Sequence, residues 1–383
     1  MENIAQNQSK IDVDNPKRLI NSLLLNSSFC ENPGLFHGKT GIAILFYMLH
    51  RHAGHRVYED YAGELIDEIY EDITIQSPVD FENGLAGIAW GIEYLVQNGF
   101  IDADTNEVLA DIDDAINKHR VYSPPADLSL ENGAAGILAY LLARIKSNQN
   151  TDGIKMLTLK HALIHLIDHV ERLLFSDGTK ITGTGYFCEN PSEYERFDMF
   201  YSPALLLRLL ADAYKTDIFN QKISRLIIGL AGLCMNTGES QLHPGNRLML
   251  SLSFNKVFPI ISVEWFENNQ SCKNFSEQAT AYIKSLSGSL KESILDPGMV
   301  NGYSLRQGTA GLSFACGLLA RQTNDPFFLQ ASGFWNNQTM LMQDNKEGLF
   351  AGFVPEDDNY GFGLVNGIAG VALCNIFSST ITL

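Results

Sequence analysis

The chain has 383 residues, 45% hydrophobic and 19% charged, enough apolar material for a large core, with a formal net charge of −17. So acidic a chain repels phosphate backbones and anionic lipid, which argues against nucleic-acid and membrane-surface partners and leaves room for a basic peptide. The first twenty residues hold Glu2, Asp12 and Asp14 without an apolar stretch, and no apolar run of about 18 residues occurs, so neither a signal peptide nor a spanning helix is expected.

Taken in chain order, residues 1–29 read as an N-terminal extension and a first outer helix of a single domain spanning 1–383. A repeat follows. FHGKTGIAILFYML (36–49), ENGLAGIAWGIEYL (82–95), ENGAAGILAYLLAR (131–144), RQGTAGLSFACGLLA (306–320) and VNGIAGVALCNIF (365–377) share the form G-x-x-G opening an apolar helix. Gly84 follows Gly38 by 46 residues, and Gly133 follows Gly84 by 49. The 175 residues from Gly133 to Gly308 leave room for two more units. FYSPALLLRLLADAY (200–214) supplies the fourth, with Tyr201 in the glycine slot. RLMLSLSFNKVFPII (247–261) supplies a fifth, with Ser253 in the slot and Lys256 and Pro259 spoiling a clean helix.

Between the units lie amphipathic segments at 58–73, 105–119, 154–175, 217–235 and 274–295, with apolar residues at helical spacing. Each unit thus predicts one apolar inner helix and one amphipathic outer helix. The first glycine is expected to allow φ > 0 or a close approach, the second to let neighbouring helices meet. Because the first and last units both carry the motif, the expected fold is all-α and closed, a double ring of about seven inner and seven outer helices.

These motifs, their order and their number resemble the lanthionine synthetase C-like (LanC-like) family, particularly members from Bacteroidetes, over roughly residues 30–380. The resemblance implies an α/α toroid. It also implies a cyclase that holds one zinc with two Cys and one His, the metal keeping a peptide thiolate nucleophilic for thioether formation. In the family's sixth unit the ligands Cys-His precede Gly-Thr-Ala-Gly; here those positions hold Arg306 and Gln307. The fifth-unit Cys falls on Ser251 if Arg247 matches the family's arginine, and the fourth-unit acid/base His falls on Phe200. A further family active-site element is an Asp four residues before a unit's glycine; unit two offers Asp80, while unit three, where the resemblance places the functional Asp, has Ser129 with Asp127 two residues earlier. No metal is therefore expected, and arginine in a ligand position opposes zinc directly.

Several residues keep two readings. Asp80, Glu82, Asp127 and Glu131 are either paired carboxylates around one mouth, fit for acid/base work, or helix-start acids. Arg306 is either their counter-charge or an anion site. His37 and His243 read as structural or as functional histidines, and His161, His165 and His169 as a two-His metal face or a solvated one. Trp90 and Tyr94 read as core. Six scattered cysteines without a CxxC pair read as free cytosolic thiols.

Three functions are compatible with this pattern. The first is a zinc-free, non-catalytic LanC-like protein that binds a peptide precursor or a maturation enzyme. The second is an active thioether cyclase without the usual zinc site, working either with metal held by unexpected residues or without metal, when a carboxylate must deprotonate a thiol of pKa about 8.5. The third is a carboxylate-based enzyme on a toroid, such as a glycosidase.

Overall fold

The computed structural model describes residues 15–74, 76–121, 123–149, 153–175, 196–236, 242–264, 270–344 and 361–381. In chain order the α-helices are α1 (Asn15–Asn26), α2 (Lys39–Ala53), α3 (Arg56–Asp72), α4 (Leu85–Gln97), α5 (Thr105–Val108) and α6 (Ala110–Ile116). There follow α7 (Ala134–Ser147), α8 (Ile154–Leu174), α9 (Ser202–Tyr214), α10 (Asn220–Asn236) and α11 (Pro244–Glu264). The last are α12 (Gln270–Ser293), α13 (Thr309–Thr323), α14 (Pro326–Asp344) and α15 (Ile368–Ile381).

The apolar helices form the inner ring. α2 packs on α4, α4 on α7, α7 on α9, α9 on α11, α11 on α13, α13 on α15, and α15 returns to α2. Each carries an outer partner: α3 on α2, α6 on α4, α8 on α7, α10 on α9, α12 on α11 and α14 on α13. The last inner helix, α15, is covered from the other end of the described chain. The N-terminal α1 fills that place, packing on α15 and α14, so the two ends of the described chain meet at one seam.

The expected spoiling of unit five does not occur. α11 runs unbroken from Pro244 to Glu264 with Pro259 inside it. Lys256 pairs with Asp212 of α9 at 2.5 Å, and packing on both α9 and α13 outweighs the helix-breaking tendency of the proline. The amphipathic segment of unit two is instead broken into α5, α6 and a short π-type turn. A buried ion network holds it. Arg144 of α7 is fully buried and reaches Asp113 of α6 (Nη2–Oδ2 2.7 Å) and Glu93 of α4, while Thr105 and Asn106 of α5 accept from it at 2.9 and 3.0 Å. Burial alone would lower the Arg144 pKa; the two carboxylates outweigh it and keep the guanidinium charged.

The first glycine takes the second of its two expected roles, a close approach and not a positive φ. Gly84, the residue before α4, has φ −107° and ψ −170°, which is extended backbone and not left-handed. Its need for glycine is steric: a Cβ there would stand 2.4 Å from the Pro78 carbonyl oxygen. The second glycine of the motif seats the loop in front of its own helix. A Cβ on Gly87 would lie 2.0 Å from the Phe81 carbonyl oxygen and 3.0 Å from Leu35 Cβ of the neighbouring unit. At the seam the same notch on Gly41 takes Leu364.

A methyl group at Gly87 should cost about 1–3 kcal/mol, because a backbone carbonyl must move. Gly288, in the exposed interior of α12 with open space around it, should gain about 0.5–1 kcal/mol on Gly288→Ala. Urea unfolding of the two variants should therefore shift in opposite directions; equal shifts would contradict the steric role of Gly87.

Candidate functional site

The loops ahead of the inner helices gather at one mouth, where residues two before the helix-capping positions of six units join one another through the backbone. Phe36 N–H donates to Glu82 O (2.9 Å), Phe81 and Glu82 N–H to Glu131 O (2.8 and 3.2 Å) and Val365 N–H to Phe36 O (3.1 Å). Arg306 N–H donates to Val365 O (3.1 Å), and Met199 N–H to Arg306 O (2.8 Å). These links run from unit four through six, seven, one and two to unit three. The step from unit three to unit four is bridged by the Arg306 side chain: its Nη2 lies 2.5 Å from Glu131 Oε1 and its Nε 3.1 Å from Asp198 Oδ2.

Arg306 therefore sits among carboxylates. Burial would lower its pKa, but Asp198, Glu131 and the more distant Glu82 outweigh this and raise it. Glu82 in turn accepts from His37 Nε2 at 2.9 Å; that bond, aided by Arg306, holds its carboxyl below the ordinary range. His37 is buried at 1% exposure. Gln307 is exposed at the mouth, its N–H donating to Ser304 Oγ.

Of the four acids, the mouth brings together Glu82 and Glu131 and leaves the other two in their own turns. Asp80 Oδ1 accepts from the Asn83 and Gly84 N–H groups (2.8 and 3.1 Å). Asp127 Oδ1 accepts from Ser129 N–H and Oγ (2.8 and 2.6 Å). Both are turn-forming carboxylates.

Unit five requires a correction of register. α11 begins at Pro244, and the His243 carbonyl accepts its first helical bonds from Asn246 and Arg247. His243, not Ser253, thus stands where five of the other units have glycine. Ser253 is deep in α11, donating to Ala204 O of α9, and Ser251 is buried two turns into the same helix, away from the mouth. Arg247 is in the first turn beside His243. The position two before His243 is Gln241, outside the described residues.

Phe200 offers no proton. Its ring stacks on Phe36 (centroids 5.2 Å apart, 18° between planes) and lies under the Arg306 guanidinium at 5.8 Å. Trp90 and Tyr94, expected in the core, are half-buried and stack along the central lumen. His161 and His165 are exposed on α8 and His169 bonds to Pro125 O at 2.7 Å, and among the described residues no group of three or more His, Cys, Asp or Glu is placed to hold a metal. Cys30, Cys234, Cys316 and Cys374 are free and buried, and burial raises each thiol pKa, Cys234 to about 12. Cys188 lies outside the described residues.

Two residues of the mouth have no counterpart in the repeat. Asp198 is held by the fully buried Asn246, whose Oδ1 accepts from Asp198 N–H (2.9 Å) while its Nδ2 donates to Arg196 O (2.7 Å). The sequence signals are local: Asp198 forms an Asx turn onto Phe200 N–H, and His-Pro-Gly-Asn reads as a cap with proline at the first helical position.

A zinc ion does not suit the donors at this position. A guanidinium has no lone pair to give and brings its own positive charge, and Arg306 is already committed to two carboxylates.

The fold and this mouth define a helical toroid of lanthionine-synthetase type. The lanthionine synthetase C-like protein family matches residues 28–230, more than half of the chain, and the chain belongs to that family. A solved structure titled "Nisin cyclase" has the same fold, with a TM-score of 0.63 over 96% of this chain and 94% of its own, at 16% identity. No curated protein matches the sequence.

His243 gives a pH signature. Its Nδ1 accepts from Gly245 N–H (3.0 Å), so Nε2 carries the proton and donates to Met299 O (3.1 Å). Burial, with Arg247 adding, lowers its pKa beneath the unfolded value of about 6.5. The unfolded chain then binds the proton first, so this contribution is intact above about pH 6.5 and is lost as pH falls towards the folded pKa. His243→Asn, which keeps a capping side chain, should flatten the fall in melting temperature between about pH 6.5 and 5.5. An unchanged slope would show that His243 does not titrate with unfolding.

Proposed function

We propose that this chain is a metal-free LanC-like protein of ribosomal-peptide (lanthipeptide-type) modification, acting in the cytoplasm as a non-catalytic partner of a precursor peptide or a maturation enzyme. The observation that carries this reading is the Arg306 guanidinium bound to Glu131 and Asp198 where the family resemblance places a zinc ligand. The family membership and the likeness to nisin cyclase supply the link to peptides. The mouth's carboxylates outnumber its arginine, and the chain's charge is −17, which favours a basic peptide segment.

The competing enzymatic readings need a free base. Asp80 and Asp127 are spent on their turns, Glu131 on Arg306, and Glu82 is held ionised by His37, which makes it a still weaker base for a thiol.

Elemental mass spectrometry of protein purified with added zinc, then desalted, should find far less than one zinc per chain. A dehydrated, cysteine-containing peptide incubated with it should keep an alkylatable thiol. Gln241→Cys, Arg306→Cys and Gln307→His combined should raise the zinc content towards one per chain. Stoichiometric zinc in the natural protein, or a thioether in the peptide, would overturn the reading.

A further inference from the structure

Beneath the mouth, the inner ring encloses a lumen of about 860 Å³. The loop layer closes it at the Arg306 end: Phe36, Phe81 and Phe200 line it from inside, with Phe36 and Phe81 packed edge to face at 6.0 Å. Trp90, Tyr94, Leu142, Leu209 and Phe314 form its wall. The other end is open, at the C-terminal ends of α4, α7 and α9, where Asn98, Lys146, Gln149 and Lys215 are exposed. A cavity of this size, apolar in depth and polar at its entrance, is of the scale of small-molecule sites, about 300–1,000 Å³.

The charge at that entrance runs against the rest of the chain. Asp212 lines it and is contacted by Lys215 at 3.2 Å and Lys256 at 2.5 Å. Arg208, one turn earlier on α9, is charge-coupled to the same carboxylate, and Lys146 lines the opposite side. Lys215, Lys256 and Arg208 therefore share the one carboxylate of Asp212, with Lys146 across the entrance, in a protein whose net charge is −17. Cations in the last turn of a helix answer the helix dipole, which explains Lys146 and Lys215. It does not explain Arg208 and Lys256, which stand well inside α9 and α11. Burial lowers both of their pKa values, so each is held at a cost that Asp212 only partly offsets.

We propose that this lumen is a binding site for a long-chain monocarboxylate, its acyl tail lying along Trp90, Tyr94 and Phe314 and its carboxylate at the entrance lined by Lys146 and Lys215, with Lys256 and Arg208 adding positive charge around Asp212. The tail exchanges water for aromatic and aliphatic wall, and the head supplies the anion that the surplus of cations lacks. The site lies on the far side of the Phe36–Phe200 layer from Arg306 and does not rest on how the mouth functions.

Calorimetric titration of the full chain with dodecanoate below its micelle concentration should show saturable binding of one molecule per chain. Dodecan-1-ol, with the same tail and no charge, should bind about ten-fold more weakly. The surface variant Lys146→Ala with Lys215→Ala should lose about ten-fold for dodecanoate and little for dodecan-1-ol. Ala139→Trp, which fills the lumen, should abolish binding of both while leaving helical circular dichroism unchanged. Absence of saturable binding to the natural chain, equal affinity for acid and alcohol, or an undiminished double variant would overturn the proposal. So would displacement of dodecanoate by an apolar-ended peptide that binds more tightly.

Discussion

Backbone N–H groups link the loops of units four, six, seven, one, two and three in turn around the mouth, and the toroid depends on this chain of hydrogen bonds. The bonds are short-range and directional, and they form only if each loop lies flat against its own helix start. Glycine is required there because backbone carbonyls occupy the space of a Cβ, as at Gly84 and Gly87. The repeat is thus a steric condition for a ring, restated in five of the seven units. The seam obeys the same condition: Val365 bonds to Phe36, Leu364 seats against Gly41, and α1 covers α15.

Arg306 is the point where this scaffold and the functional site become one structure. Its backbone belongs to the hydrogen-bonded ring, accepting from Met199 and donating to Val365. Its side chain crosses to Glu131 and Asp198 over the step from unit three to unit four, which no backbone bond bridges among the described residues. A metal at this place ties several loops together by coordination, and the guanidinium ties two of them by charge and hydrogen bonds. The ion pair thereby supplies a closure that the backbone does not.

Much of this was legible in the sequence. Five glycine motifs, their spacing and the alternation of apolar with amphipathic helices state the double ring directly, and Arg306 and Gln307 were fixed by the unbroken Gln-Gly-Thr-Ala-Gly. Unit five was misread because its loop carries His-Pro-Gly-Asn in place of G-x-x-G. An apolar helix has no internal mark of where it starts, so the slot slipped inward from His243 to Ser253. Asp198 and Asn246 went unseen because their partners are 108 and 48 residues away, beyond any local pattern. Trp90 and Tyr94 were taken for core because helical spacing identifies an inward face and says nothing of whether that face meets side chains or a lumen. The Arg144 network was invisible for the same reason as Asp198: burial of a charge depends on partners brought by three other helices.

The most direct measurement is a double-mutant cycle on Arg306 and Glu131, read as urea unfolding free energy for Arg306→Met, Glu131→Gln and the two together. If the guanidinium–carboxylate bond closes the ring, the single variants each lose stability and the double variant loses much less than their sum, a coupling of about 1–3 kcal/mol. Additive losses would mean that the two side chains contribute independently and that the ring is closed by something other than Arg306.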